Sequence, residues 1–109
     1  MTDPHPFYAF HAHGFVRVGA CTPVASVGDP EFNASATIAL AHEGHEAGAD
    51  LLVFPELNLS SYAIDDLHLQ DALLAATEAA LARVAAETAD LSPLLLVGAA
   101  LRRNGRVYN

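Results

Sequence analysis

The 109-residue chain is predicted to be an α/β protein, and three features of the sequence carry that prediction. Short apolar runs alternate with long helical stretches, as crossover units on a largely parallel sheet require. One of those runs, Asp50-Leu51-Leu52-Val53-Phe54, has no polar face and suits a strand covered on both sides. An Asn104-Gly105 pair near the end of the chain is the strongest short signal for a hairpin.

Residues 1–13 mix Pro, His and aromatics without a period and read as an irregular arm ahead of a domain over 14–109. Phe15 to Cys21 alternates and is rich in β-formers, so it is the first strand. Thr22 to Gly28 is a loop. Asp29-Pro30 then opens a helix: Asp29 can accept from orphan amides of the first turn, and Pro30 fits a position that needs no donor. That helix is expected to run to about Ala47, with Ala34, Ile38, Ala41 and His45 along one face and Gly48 as its stop.

Pro55 ends the Asp50–Phe54 strand, since it has no amide proton for a central ladder. A second, Ala-rich helix is expected over about Asp66 to Thr88, with Leu69, Leu73, Ala76, Ala80 and Val84 at helical spacing and Leu74 and Leu81 beside them. Ser92-Pro93 breaks it, Leu94 to Gly98 forms a third buried strand, and a fourth begins at Val107 after the Asn-Gly turn. The resulting order is β-α-β-α-β-β. A strand that opens at Val107 has little length in which to pair before Asn109, and this predicts a sheet completed by residues beyond the chain.

Composition narrows the function classes. There are 13 acidic residues against 5 basic ones, all arginine, for a net charge of −8. Such a surface repels nucleic-acid backbones and anionic membranes. The single cysteine, Cys21, fits a reducing compartment, and Met1 to His13 has neither the basic nor the apolar region of a secretory signal, so a cytoplasmic protein is expected.

The most informative spot for chemistry is Phe54-Pro55-Glu56-Leu57. A carboxylate directly after a buried strand sits where open α/β sheets place their ligands, and apolar walls there would raise its pKa toward that of a general base. A plain surface Glu at a loop start would look the same. Tyr62, in Ser60-Ser61-Tyr62, is near enough to line the same cleft, although loop aromatics more often serve packing. Cys21 lacks a basic neighbour to activate it and reads as an inert core thiol. His11 and His13 would point the same way on an extended arm. His42 and His45 are three apart, whereas a zincin pair is four apart, so metal binding is disfavoured. Asn33-Ala34-Ser35 and Asn58-Leu59-Ser60 match the glycosylation pattern but carry no meaning without a secretory signal.

Several segments together resemble one family. Gly14-Phe15-Val16-Arg17-Val18, Gly28-Asp29-Pro30, the stretch Leu52 to Tyr62 and Leu69-Gln70-Asp71 are similar to the start of bacterial glutamine-dependent NAD synthetases. Phe-Pro-Glu marks the wider nitrilase, or carbon–nitrogen hydrolase, superfamily. The resemblance implies an incomplete α-β-β-α sandwich and puts the catalytic Glu of the family's Glu-Lys-Cys set on Glu56. It implies that the Lys and the nucleophilic Cys lie beyond Asn109, and it brings Tyr62 beside a glutamine pocket. The loop departs from the family at Ser61, where Gly is expected.

The activity implied is glutamine hydrolysis to supply ammonia to a separate C-terminal synthetase domain. That domain would use ATP and Mg²⁺ to amidate nicotinic acid adenine dinucleotide, and the full-length protein would be a homo-oligomer. The chain itself would hold no cofactor and would be inactive alone. Two other readings stay open on the residues: the start of a stand-alone amidase of the same superfamily, and a small α/β binding module with no catalysis.

Overall fold

The computed structural model describes residues 5–109. The first four residues of the expected arm therefore lie outside the described residues. The rest of the arm is two short 3-10 turns, Pro6–Tyr8 and Phe10–His13. The turns aim the two histidines apart, against the extended-arm expectation. His11 Nε2 reaches both carboxylate oxygens of Asp50 at 2.8 Å, while His13 Nε2 bonds the Phe7 carbonyl at 2.7 Å.

Three parallel strands form the sheet: β1 (Val18–Ala20), β2 (Leu51–Val53) and β3 (Leu94–Leu96), with β2 in the middle. Their registers align Gly19, Leu52 and Leu95 in one row. Helix α1 (Pro30–Glu46) links β1 to β2, helix α2 (Asp71–Glu87) links β2 to β3, and the two pack on each other. Crossovers of one hand in this strand order put both helices on one side of the sheet. The core lies in that layer, around Ala34, Leu59, Ala80 and Val84 and around Ala49, Leu52 and Phe54.

This one-sidedness corrects the expectation that β2 is covered on both faces. Leu52 is buried, but Val53 is 38% exposed, and Val18, Leu94 and Leu96 of the same sheet are at least half exposed. The continuous apolar run instead has one face packed on the helical layer and one bare face.

Local chemistry explains the helix limits. Asp29 accepts from the Phe32 amide at 3.1 Å, and Pro30 occupies the first turn. At the other end the Gly48 amide bonds the His45 carbonyl and the Ala49 amide bonds the Gly44 carbonyl, each near 3 Å, which is the Schellman closure. Helix α2 starts later than expected. Asp65–Leu69 is a separate 3-10 turn, and Gln70 is extended at φ −77°, ψ 124°, so Leu69 is exposed rather than part of the helical face. The buried face runs through Leu74, Thr77, Ala80 and Val84.

The observed order has one strand more than expected. After β3 the chain forms an antiparallel hairpin of β4 (Leu101–Arg103) and β5 (Arg106–Tyr108) across Asn104-Gly105. Both turn residues have positive φ, at 52° and 72°, which suits the twist of a two-residue hairpin. Because β4 supplies the partner, β5 pairs along its whole length, so shortage of pairing is no longer an argument for an incomplete sheet. The hairpin is tied to α2 by Arg102 to Asp71 and by Arg103 to Glu78 at 3.2 Å, over a small core of Leu57, Leu74, Ala100 and Val107.

Candidate functional site

Glu56 stands in a tight turn directly beyond the carboxyl end of β2, the interior strand. The turn is closed by the Asn58 amide on the Pro55 carbonyl at 3.2 Å and the Ser60 amide on the Leu57 carbonyl at 3.1 Å. Leu57 takes a left-handed backbone, φ 54°, which β-carbon sterics disfavour. Around this turn the side chains divide sharply. Leu57, Asn58, Leu59 and Ser60 are buried, and Glu56 alone between them and Pro55 points its carboxylate outward.

The exposure of Glu56 corrects the expectation of apolar walls around it. Its hydrogen-bond partner is Asn109, whose side-chain amide donates to Oε1 at 2.6 Å from the end of the hairpin. The apolar residues near it are turned into the core beneath the loop instead of flanking the carboxylate. Tyr62 follows on the same loop and is 69% exposed, with its backbone carbonyl accepting from the Ile64 amide at 3.0 Å. Between them Ser61 sits at φ 70°, the left-handed conformation a Gly would adopt with less strain.

Cys21 continues β1 and packs with Ala49, Leu52 and Phe54. Burial, followed by the charge of Glu43, pushes its thiol above the usual range, the opposite of activation. His45 bonds Ser92 through Nδ1, at 3.0 Å to the hydroxyl and 3.1 Å to the amide. Among the described residues no three His, Cys, Asp or Glu side chains come together as a metal site would need. Two surface hollows of about 360 and 390 Å³ flank α2, and neither includes Glu56.

Sequence reasoning missed the polar residues beneath the turn. Asn33, Thr37 and Asn58 are buried and form one connected set. Asn58 Nδ2 donates to Thr37 Oγ1 at 2.7 Å, and Thr37 donates to the Asn33 carbonyl at 2.8 Å. The Asn33 carboxamide accepts from the Ser26 amide and donates to the Ser26 and Leu59 carbonyls, all within 3.0 Å. The signal available was position: Asn33, Thr37 and Ala41 share the helical stripe that faces the sheet.

The carbon–nitrogen hydrolase family model matches residues 16–109, nearly the whole chain. The chain belongs to the carbon–nitrogen hydrolase family. Within it, the sequence is 52% identical over 103 residues to a glutamine-dependent NAD(+) synthetase of Mycobacterium bovis, and 48% identical over the same length to one of Mycobacterium leprae. In both cases 94% of the chain is matched, and the chain spans 15% of the length of the relative. The fold matches a crystal structure of a glutamine-dependent NAD(+) synthetase from Cytophaga hutchinsonii with a TM-score of 0.78, at 24% identity, covering 86% of this chain and 16% of that one. A second, from Acinetobacter baumannii, matches with a TM-score of 0.63 at 25% identity, covering 76% of this chain and 15% of that one. The hydrolase fold is thus a mixed α/β layer with a parallel sheet, as the sequence indicated.

Proposed function

We propose that these residues are the opening part of the glutamine-hydrolysing domain of a glutamine-dependent NAD(+) synthetase, with Glu56 as its general base. The observation that carries the reading is the presentation of Glu56. It is the one outward carboxylate on a fixed turn at the carboxyl end of the interior strand, in a sequence half identical to proteins named for that activity.

On this reading Glu56 takes the proton of a cysteine thiol supplied by residues outside this chain. The thiolate attacks the side-chain amide carbon of L-glutamine, and a lysine, also outside this chain, stabilises the oxyanion. Ammonia leaves with a proton returned by Glu56. Water activated by the same carboxylate then releases glutamate from the thioester. Tyr62, exposed on the following loop, is the residue assigned on this reading to contact the substrate. An exposed base in this chain is consistent with a cleft whose other walls come from elsewhere in the domain.

ATP and Mg²⁺ are assigned to the synthetase domain that would consume the ammonia. The described residues gather no three His, Cys, Asp or Glu side chains that could hold a metal ion. The partners proposed are L-glutamine, that synthetase domain and further copies of the whole protein. The lone cysteine, unpaired, supports a cytoplasmic setting.

The test is Glu56→Gln in the full-length protein. Gln keeps the volume and removes the proton acceptor, so the glutamine-driven rate should fall by about 10²-fold or more while the rate with free ammonia is kept. A glutamine-driven rate within about threefold of the parent rules the assignment out.

A further inference from the structure

We infer that Thr37, Asn58 and Asn33 are positioning residues for Glu56, a buried polar clamp that fixes the turn from the α1 side. The inference rests on the reading of Glu56 as the base. Its basis is the contrast between the turn and what lies beneath it. Glu56 itself is exposed, and Asn109, donating to Oε1 at 2.6 Å, touches only the tip of its side chain. Its position is set by the backbone of residues 55–60, and that backbone holds a left-handed Leu57 that relaxes unless its surroundings fix it.

The surroundings fix it from two sides. On the β3 side the Leu59 amide donates to the Gly98 carbonyl at 3.1 Å. On the α1 side the Leu59 carbonyl accepts from Asn33 at 3.0 Å, and the Asn58 side chain is held by Thr37 at 2.7 Å. Asn33 also grips Ser26, so the loop after β1 and the Glu56 turn are fastened to the same carboxamide. A second link joins those loops, the Gly28 amide donating to the Ser60 carbonyl at 2.9 Å.

Polar groups here are not needed to fill space. Thr37 is fully buried on a helix face whose other buried residues include Asn33, Ala34 and Ala41, and the volume it fills is that of a valine. What the hydroxyl adds is direction: it accepts from Asn58 and donates to the Asn33 carbonyl, which leaves one arrangement of the turn satisfied. A base displaced by about 1 Å loses on the order of 10²-fold in rate, so a small relaxation of this turn is costly in catalysis.

The experiment compares Thr37→Val, Thr37→Ser and Asn58→Ser in the full-length protein, with glutamine and with free ammonia as nitrogen donors. Thr37→Val keeps the shape and removes the hydroxyl. It should lower kcat for glutamine by about tenfold or more, leave KM for glutamine within about twofold, and leave the ammonia-driven rate unchanged. Thr37→Ser keeps the hydroxyl and should hold kcat near the parent value. Asn58→Ser breaks the same contact from the loop side without touching α1, so it carries the same expectation if Thr37→Val does not fold. The double variant should lose no more than either single one, as members of one contact do.

Values of kcat within about threefold of the parent for Thr37→Val and Asn58→Ser overturn the inference. So does a rise in KM with kcat kept, or an equal loss in Thr37→Ser, or an equal loss with ammonia. Glu56→Gln run alongside separates the two readings. Its failure to reduce the glutamine-driven rate overturns the role of Glu56 and this inference with it. Its success beside unaffected clamp variants overturns the clamp alone.

Discussion

Gly98 lies so close to the peptide of Leu57 that a β-carbon on it would stand 2.5 Å from the Leu57 nitrogen, and equally close to the Pro55 carbonyl oxygen. The Glu56 turn is therefore seated directly on the backbone that leaves β3, with no side chain between them. The Leu59 amide completes the seat by donating to the Gly98 carbonyl. Glycine is required here by space, since its φ is unremarkable and the obstructing atoms are main chain.

It follows that Gly98→Ala should be among the most damaging single-methyl additions to the chain. Flexible side chains could swing aside, but Pro55 and Leu57 can yield only by moving the turn. Overpacking of this kind costs about 1–3 kcal/mol. Thermal unfolding of the variant should show a midpoint lowered by several degrees, and crosspeaks of residues 55–59 should shift in amide spectra. An unchanged midpoint with unmoved crosspeaks would mean that the seat is looser than the geometry states.

Ser61 offers the opposite change. Its φ of 70° carries the left-handed penalty of about 1–2 kcal/mol, and glycine removes it while adding about 0.5–1 kcal/mol of unfolded-state entropy. Ser61→Gly should stabilise the chain by about 0.5–1 kcal/mol, a rise of a few degrees in the unfolding midpoint. Among the described residues the Ser61 hydroxyl has no hydrogen-bond partner that would offset this; the residue's carbonyl accepts from Ser60 Oγ at 3.2 Å. A fall in the midpoint would show that its hydroxyl holds the loop.

These two positions also mark what the sequence could and could not tell. The strand-helix alternation was legible because the strands of the parallel sheet are short apolar segments and α1 is capped at both ends, with Asp29-Pro30 and Gly48 read correctly to within a residue. The place of Glu56 just past the interior strand was legible because Pro55 ends the apolar run, whereas its role as a base came from the Phe-Pro-Glu resemblance and not from that place. The bare sheet face was not, because Val53 looks the same in sequence whether a layer covers it or not. The start of α2 was misplaced because Asp65 to Leu69 has helical composition but a left-handed first residue, φ 45°, that only the tertiary fold reveals. Asn33 and Asn58 matched nothing but a glycosylation pattern, and their burial is a property of how α1 meets the Glu56 turn.

The arm has its own dependence on pH. Asp50 accepts from the Arg17 amide at 2.7 Å and from His11, and these contacts, the backbone one first, hold its carboxyl below the usual range. A carboxyl lowered on folding contributes stability above its unfolded pKa, about 3.9, and that contribution is lost as pH falls through the lower folded value. Asp50→Asn should therefore unfold at a lower temperature than the parent at pH 7, and the gap should close as the pH is taken down below the ordinary carboxyl range. A gap that persists unchanged in acid would mean that the effect belongs to the shape of the side chain and not to its charge.

Finally, the 109-residue chain by itself should release no ammonia from L-glutamine. The reaction proposed needs a nucleophile, a base and an oxyanion partner, and groups of that kind act as a unit, so one member retains almost nothing of the joint effect. Glu56 is present, but the sequence contains no lysine, and the thiol of Cys21 is packed with Ala49, Leu52 and Phe54 and raised in pKa by burial and by Glu43. A thiol in that state is a poor nucleophile near neutral pH, because little of it is thiolate. The hydrogen bond from Asn109 occupies one oxygen of Glu56, a contact that substrate or a nucleophile would have to replace. Ammonia release measured with the purified chain should match that of buffer, and Cys21→Ser should change nothing. Turnover that disappears in both Cys21→Ser and Glu56→Gln would instead identify Cys21 as the nucleophile and require a catalytic set held within these residues.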